Sequence, residues 1–102
     1  MKTTIRISAI APTGYQLVSL RHFGMEVSTN INGFYSASQE FETEKEAKEY
    51  LVTRATRYFD GNADNDEAKL QEALSDIEQY GMLRLDAVQA NIEEVELEDD
   101  KN

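Results

Sequence analysis

The chain has no cysteine and no tryptophan, and only one proline and one histidine in 102 residues. Without cysteine, disulfides, thiolate metal sites and cysteine nucleophiles are excluded. A lone imidazole cannot build a histidine metal cluster, and His22 stands in no nucleophile-elbow motif that would make it part of a triad. Apolar runs are short, none approaching the ~18 residues of a membrane span. The glycines Gly14, Gly24, Gly33, Gly61 and Gly81 are isolated, so no glycine-rich phosphate loop is present. Positive charge is scarce too: ten Lys+Arg face twenty Asp+Glu, for a formal net charge of -10. A field of that sign repels phosphate backbones and anionic headgroups, which argues against direct nucleic-acid or membrane binding.

What is present suffices for one folded unit. Apolar residues make up 40% of the chain, too many for a disordered polymer. A domain of this size buries roughly 65% of its unfolded surface, which gives a real but thin core. The charge is uneven. Residues 1–41 carry Lys2, Arg6 and Arg21 against Glu26 and Glu40, whereas 42–102 hold all the other acidic residues. A negative side is therefore expected, suited to solubility, a cation or a basic protein partner. Near the start, Ala9-x-Ala11 resembles a signal-cleavage pattern, but Arg6 and Ser8 interrupt the apolar stretch such a peptide needs. The expected location is cytoplasmic.

Periodicity divides the chain. Residues 3–11 alternate, with Ile5, Ile7 and Ala9 opposite Thr4, Arg6 and Ser8, as in a half-buried strand. Tyr15–Arg21 is rich in strand formers, and Phe23–Ile31 alternates again with a bulge or bend at Gly24. Asn32-Gly33 is a hairpin signal of the type I′ kind, and Phe34–Phe41 returns from it. At Thr43 the period changes to that of a helix. Thr43 and Glu46 have capping-box spacing, and Ala47, Tyr50, Leu51, Ala55, Tyr58 and Phe59 form one stripe over 44–59. A second helix over about 65–80 buries Leu70, Ala73, Leu74 and Ile77 and stops at Gly81. Asp76 and Glu78 sit in its last turns, where the helix dipole disfavours negative charge. Residues 82–97 read either as a strand with a bulge near Asp86 or as a helix capped by Asp86; the strand is preferred, as cover for a sheet edge.

These elements predict an α+β fold: an antiparallel sheet of three to five strands, a β-meander followed by two helices and a late strand, with the helices packed on one face. Residues 1–95 form the single domain, and 96–102 an acidic flexible tail.

The chemistry legible in the chain is sparse. Asp60, Asn62, Asp64 and Asp66 lie between two helices, and the Asp60-x-Asn62-x-Asp64 spacing resembles the start of an EF-hand calcium loop. Position six is then Asn65 instead of glycine, position eight Glu67 instead of an apolar residue, and position twelve Gln71 instead of a bidentate glutamate. An Asx-rich linker capping the second helix accounts for the same residues. No cofactor is expected, calcium being the one candidate. For an interface, consecutive Phe34 and Tyr35 must face opposite ways on a strand, so one is exposed as an anchor. Asp76, Glu78, Glu93 and Glu94 contribute negative potential. The expected function is a small, acidic, non-catalytic protein-interaction module, with homo-oligomerisation compatible. An acidic nucleic-acid mimic inhibiting a basic-groove protein is the alternative, ahead of a small carboxylate enzyme.

Overall fold

Alternation in the first strand organises the molecule. The computed structural model describes residues 2–12, 16–29, 33–60, 67–86 and 88–97. Strand β1 (Lys2–Pro12) lies at the centre of a five-stranded antiparallel sheet. It pairs with β3 (Phe34–Phe41) on one side and β5 (Val88–Leu97) on the other. The short strands β2 (Val27–Thr29) and β4 (Met82–Leu85) form the two edges, giving the order β2-β3-β1-β5-β4. Each edge strand covers only part of its longer neighbour: β2 pairs with Tyr35–Ala37 of β3, and β4 with Val88–Asn91 of β5. The helices are α1 (Gln16–Arg21), α2 (Glu44–Asp60) and α3 (Glu67–Tyr80). None of the helices is long and apolar enough to cross a membrane.

Cross-strand pairing puts Ile7, Ala9 and Ala11 on the same face as Ala37, Val88, Ala90, Leu83 and Leu85. All of these are buried, together with Leu20, Phe23, Leu51 and Ile77 from the helical layer. The α+β class, the antiparallel sheet and the packing of helices on one face are thus as expected. Thr4, Arg6 and Ser8 occupy the other face, where Arg6 Nη2 donates to Glu40 Oε2 at 2.8 Å and Ser8 Oγ donates to Glu93 Oε2 at 3.2 Å.

Three segments depart from their expected conformation. The stretch expected as a strand over Tyr15–Arg21 holds helix α1 at Gln16–Arg21. Its strand-forming composition yields to tertiary packing, since Leu20 and Phe23, three apart, both reach the core. In the strand expected over Phe23–Ile31, Val27–Thr29 is the extended part among the described residues. Phe23 and Gly24 instead close α1, with Gly24 N donating to Arg21 O at 3.0 Å and Gly24 at φ 74. The phase change in 82–97 is a hairpin, not a bulge: Leu85 pairs Val88 across a two-residue connection that contains Asp86 at φ 59.

The expected turn residue Asn32 lies outside the described residues. Thr29 pairs Tyr35, which leaves an odd number of residues between them, whereas a two-residue turn leaves an even number. Strand β5 runs through Leu97, opposite Lys2, past the start expected for the tail, because β1 offers ladder partners that far; residues 98–102 lie outside the description.

Polar ties lock the helical layer. Arg54 donates from Nε (3.2 Å) and Nη2 (3.1 Å) to the His22 carbonyl, and Tyr50 Oη donates to the Phe23 carbonyl at 2.6 Å. The Arg54 guanidinium lies so close to Gly24 that an added Cβ would sit 2.5 Å from Cζ. The buried Ser19 donates through Oγ to Asp86 Oδ2 at 2.7 Å, tying α1 to the β4–β5 hairpin.

Gly81 adopts φ 64, but its added Cβ would make only ordinary contact with Ile92 at 3.4 Å. Gly81→Ala is therefore expected to cost about 1–2 kcal/mol of backbone strain. Gly24→Ala should cost about 1 kcal/mol more, because Arg54 must also leave the His22 carbonyl. Urea denaturation of both variants measures the difference. For Tyr50, burial raises the phenol above its ordinary 10.0, with the Arg54 charge acting the other way. The folded state then holds the proton more tightly, so this contribution is present below about pH 10 and is lost as pH rises through the folded value. Tyr50→Phe is expected to cost about 1 kcal/mol at pH 7 and to flatten the fall in stability above pH 10, read from denaturation midpoints across that range.

Candidate functional site

Helix α2 supplies most of the surface with shape. Its start is fixed by Thr43, whose Oγ1 accepts from Glu46 N at 3.1 Å. Glu46 Oε1 accepts from Glu42 N at 3.3 Å, so the expected capping box closes one residue earlier than Thr43. The buried stripe Ala47, Leu51 and Ala55 faces the sheet, which leaves two flanks of the helix outside the core.

One flank meets α3. Lys48 Nζ donates to the Glu78 carbonyl at 3.1 Å near the end of α3, while Asp60 borders a small cavity with Glu67 and Leu70 at its beginning. The two helices therefore run antiparallel, and between them opens a groove of about 800 Å³. Val52, Leu74 and Ile77 supply its apolar floor, with Val52 38% exposed and Ile77 buried. Glu44, Lys45, Lys48, Glu49 and Glu78 line it as a charged rim. Lys48 also pairs with Glu44 at 3.6 Å, so its ammonium serves both helices.

The residues expected at an interface do not form one surface. Glu78 lines the groove, but Asp76, two residues earlier and so about 200° around the helix, lines a separate cavity with Lys69 and Arg84. Glu93 and Glu94 are consecutive on β5, and their pairing with Arg6 and Ile5 puts them on opposite faces of the sheet. Phe34 and Tyr35 divide as their spacing requires: Phe34 is 40% exposed on the open face, while Tyr35 packs against the core. Of the candidate calcium ligands, Asp60 is an exposed residue at the end of α2, and Asn62, Asp64 and Asp66 lie outside the described residues. Among the described residues no three His, Asp or Glu side chains gather as a metal site.

Sequence reasoning overlooked Val52 and Ile10. Val52 falls in phase with Lys45 and Lys48, one stripe beside the core stripe, and that spacing is the signal that marks a second apolar face. Ile10 continues the Thr4, Arg6, Ser8 phase, so its place on the open face was readable; it is 64% exposed and pairs with Ser36, diagonal to Phe34. No protein-family model, curated protein or solved structure matches the chain.

Lys48→Met should lower stability by about 1 kcal/mol, since it leaves the Glu78 carbonyl and the acidic end of α3 without their cation. Thermal denaturation at low and high salt checks this, the loss being larger at low salt.

Proposed function

We propose that the protein is a small, non-catalytic interaction module whose α2–α3 groove takes the apolar face of a basic amphipathic helix from a protein partner. The observation that carries this reading is the groove itself: exposed Val52 and half-buried Leu74 over the buried Ile77, beneath a rim of Glu44, Glu49 and Glu78 together with Lys45 and Lys48. A helix laid in such a groove buries its apolar stripe and presents lysines or arginines to the rim. The net charge of -10 speeds the approach of a basic partner and disfavours acidic ones.

Mimicry of a nucleic acid has less support, because it needs carboxylates that are free and arrayed. Glu40 is paired with Arg6, Glu93 accepts from Ser8, Glu46 caps its own helix and Glu44 pairs with Lys48.

The test uses lysine-bearing amphipathic peptides of about 16 residues, which match α2 at 1.5 Å per residue. Titration followed by amide chemical shifts is expected to perturb residues 44–53 and 74–78 saturably. Val52→Asp, at an exposed position, should leave the fold intact and weaken binding at least about tenfold. Equal binding by wild type and Val52→Asp, or shifts confined to other surfaces, overturns the reading. Self-association of the chain that Val52→Asp abolishes would overturn it as well, replacing the foreign helix with a second copy.

A further inference from the structure

The other flank of α2 carries an arrangement opposite in sign to the rest of the molecule. A cavity of about 240 Å³ is lined by Arg21 and His22 at the end of α1 and by Arg54, Arg57 and Tyr58 of α2. Three arginines therefore border one small space, in a chain with twice as many acidic as basic residues. No carboxylate lines it among the described residues. The ion pairs among the described residues, Arg6–Glu40 and Lys48–Glu44, involve none of these arginines. Asp60 stands three residues beyond Arg57 on the same helix, and no ion pair joins them.

Helix ends favour each of these cations singly, since Arg21 stands in the last turn of α1 and Arg57 in the last turn of α2. Arg54 is committed to the His22 carbonyl through Nε and Nη2, a pair of bonds that fixes its guanidinium beside Gly24. That contact orients Arg54 but requires neither Arg21 nor Arg57. Bringing three like charges together costs free energy unless an anion sits among them. The rings of His22 and Tyr58 meet edge to face at 4.8 Å and form an aromatic wall to the same cavity.

We propose that this cavity binds a phosphate group. Guanidinium forks match phosphate oxygens in bidentate geometry, and a dianion offsets more than one of the three charges, as a single carboxylate does not. The cavity is larger than the phosphate itself, so it has room for the group to which the phosphate is esterified, against Tyr58. The net negative charge of the chain does not oppose this at close range, since exposed charges are screened beyond about 8 Å at physiological ionic strength. The site lies on the flank of α2 away from the groove and does not depend on the groove's role.

The full chain is titrated with inorganic phosphate, methyl phosphate and phenyl phosphate at constant ionic strength, with amide and arginine Nε–H resonances as the readout. Saturable shifts are expected at residues 21–24 and 54–58. Arg21→Gln and Arg57→Gln, which break no ion pair among the described residues, should each weaken binding about five- to tenfold. Arg6→Gln, on the opposite face of the sheet, should leave it unchanged. Equal affinity for inorganic and phenyl phosphate assigns the site to free phosphate, and tighter binding of phenyl phosphate to an aromatic ester. Linear shifts spread over the chain, or the same loss from Arg6→Gln as from Arg57→Gln, overturn the proposal.

Discussion

Cations from α2 satisfy the carbonyl ends of the other two helices, and the arrangement of the helical layer rests on that exchange. The C-terminal end of any helix exposes carbonyls without partners and a partial negative charge. Arg54 meets this need for α1 through the His22 carbonyl, with Tyr50 taking the next carbonyl along. Lys48 meets it for α3 through the Glu78 carbonyl. The last turn of α3 contains no basic residue of its own, and it carries Asp76 and Glu78 where a helix is least tolerant of them. Taken alone that turn looks poorly built. Beside α2 it is compensated from the neighbouring helix.

Such ties matter more here than in a domain with a heavier core. Among the described residues, seven of the sixteen buried apolar side chains are alanine, so many core positions contribute little transfer free energy. Ala37, Ala9 and Ala90 stand side by side across three strands of the sheet. A row of methyl groups lets helices lie close to the strands, and closeness brings the helix ends within reach of Arg54, Tyr50 and Lys48. The small core and the polar locking are therefore one solution. Buried Ser19 belongs to it too, since its bond to Asp86 adds a polar tie between α1 and a hairpin that otherwise meets the layer through apolar side chains such as Leu83, Leu85, Val88 and Ala90.

The elements with clean periodicity were legible in the chain: β1, β3, α2 and α3 all declare themselves by alternation or by a helical stripe. Those decided by distant partners were not. Gln16–Arg21 is a single short turn of helix whose preference comes from what Leu20 and Phe23 pack against, and no local rule contains that information. The β4–β5 hairpin was half legible. The reversal of phase between Leu85 and Val88 was visible, but Asp86-Ala87 lacks the glycine that marks a tight turn, so the reversal resembled a bulge. The acidic residues were plain in number and obscure in position, because a strand separates Glu93 from Glu94 and a helix separates Asp76 from Glu78.

The same geometry explains why the groove and the arginine-lined cavity lie where they do. Residues advance about 100° around a helix. With the core stripe centred on Leu51, Lys45, Lys48 and Val52 therefore project to one side, and Tyr50, Arg54 and Arg57 to the other, close to opposite poles of α2. One pole faces α3, which runs alongside and so creates a long groove; the other meets the end of α1, where the compact cavity opens, and at Tyr50 the ring of Phe41 at 5.4 Å. An elongated apolar floor suits an extended partner surface, whereas converging guanidiniums suit a small dense charge. Each pole also spends one cation on capping, Lys48 on α3 and Arg54 on α1. What remains for a ligand is accordingly different on the two sides: mostly carboxylates on the groove rim, and only arginines, an imidazole and a phenol in the cavity.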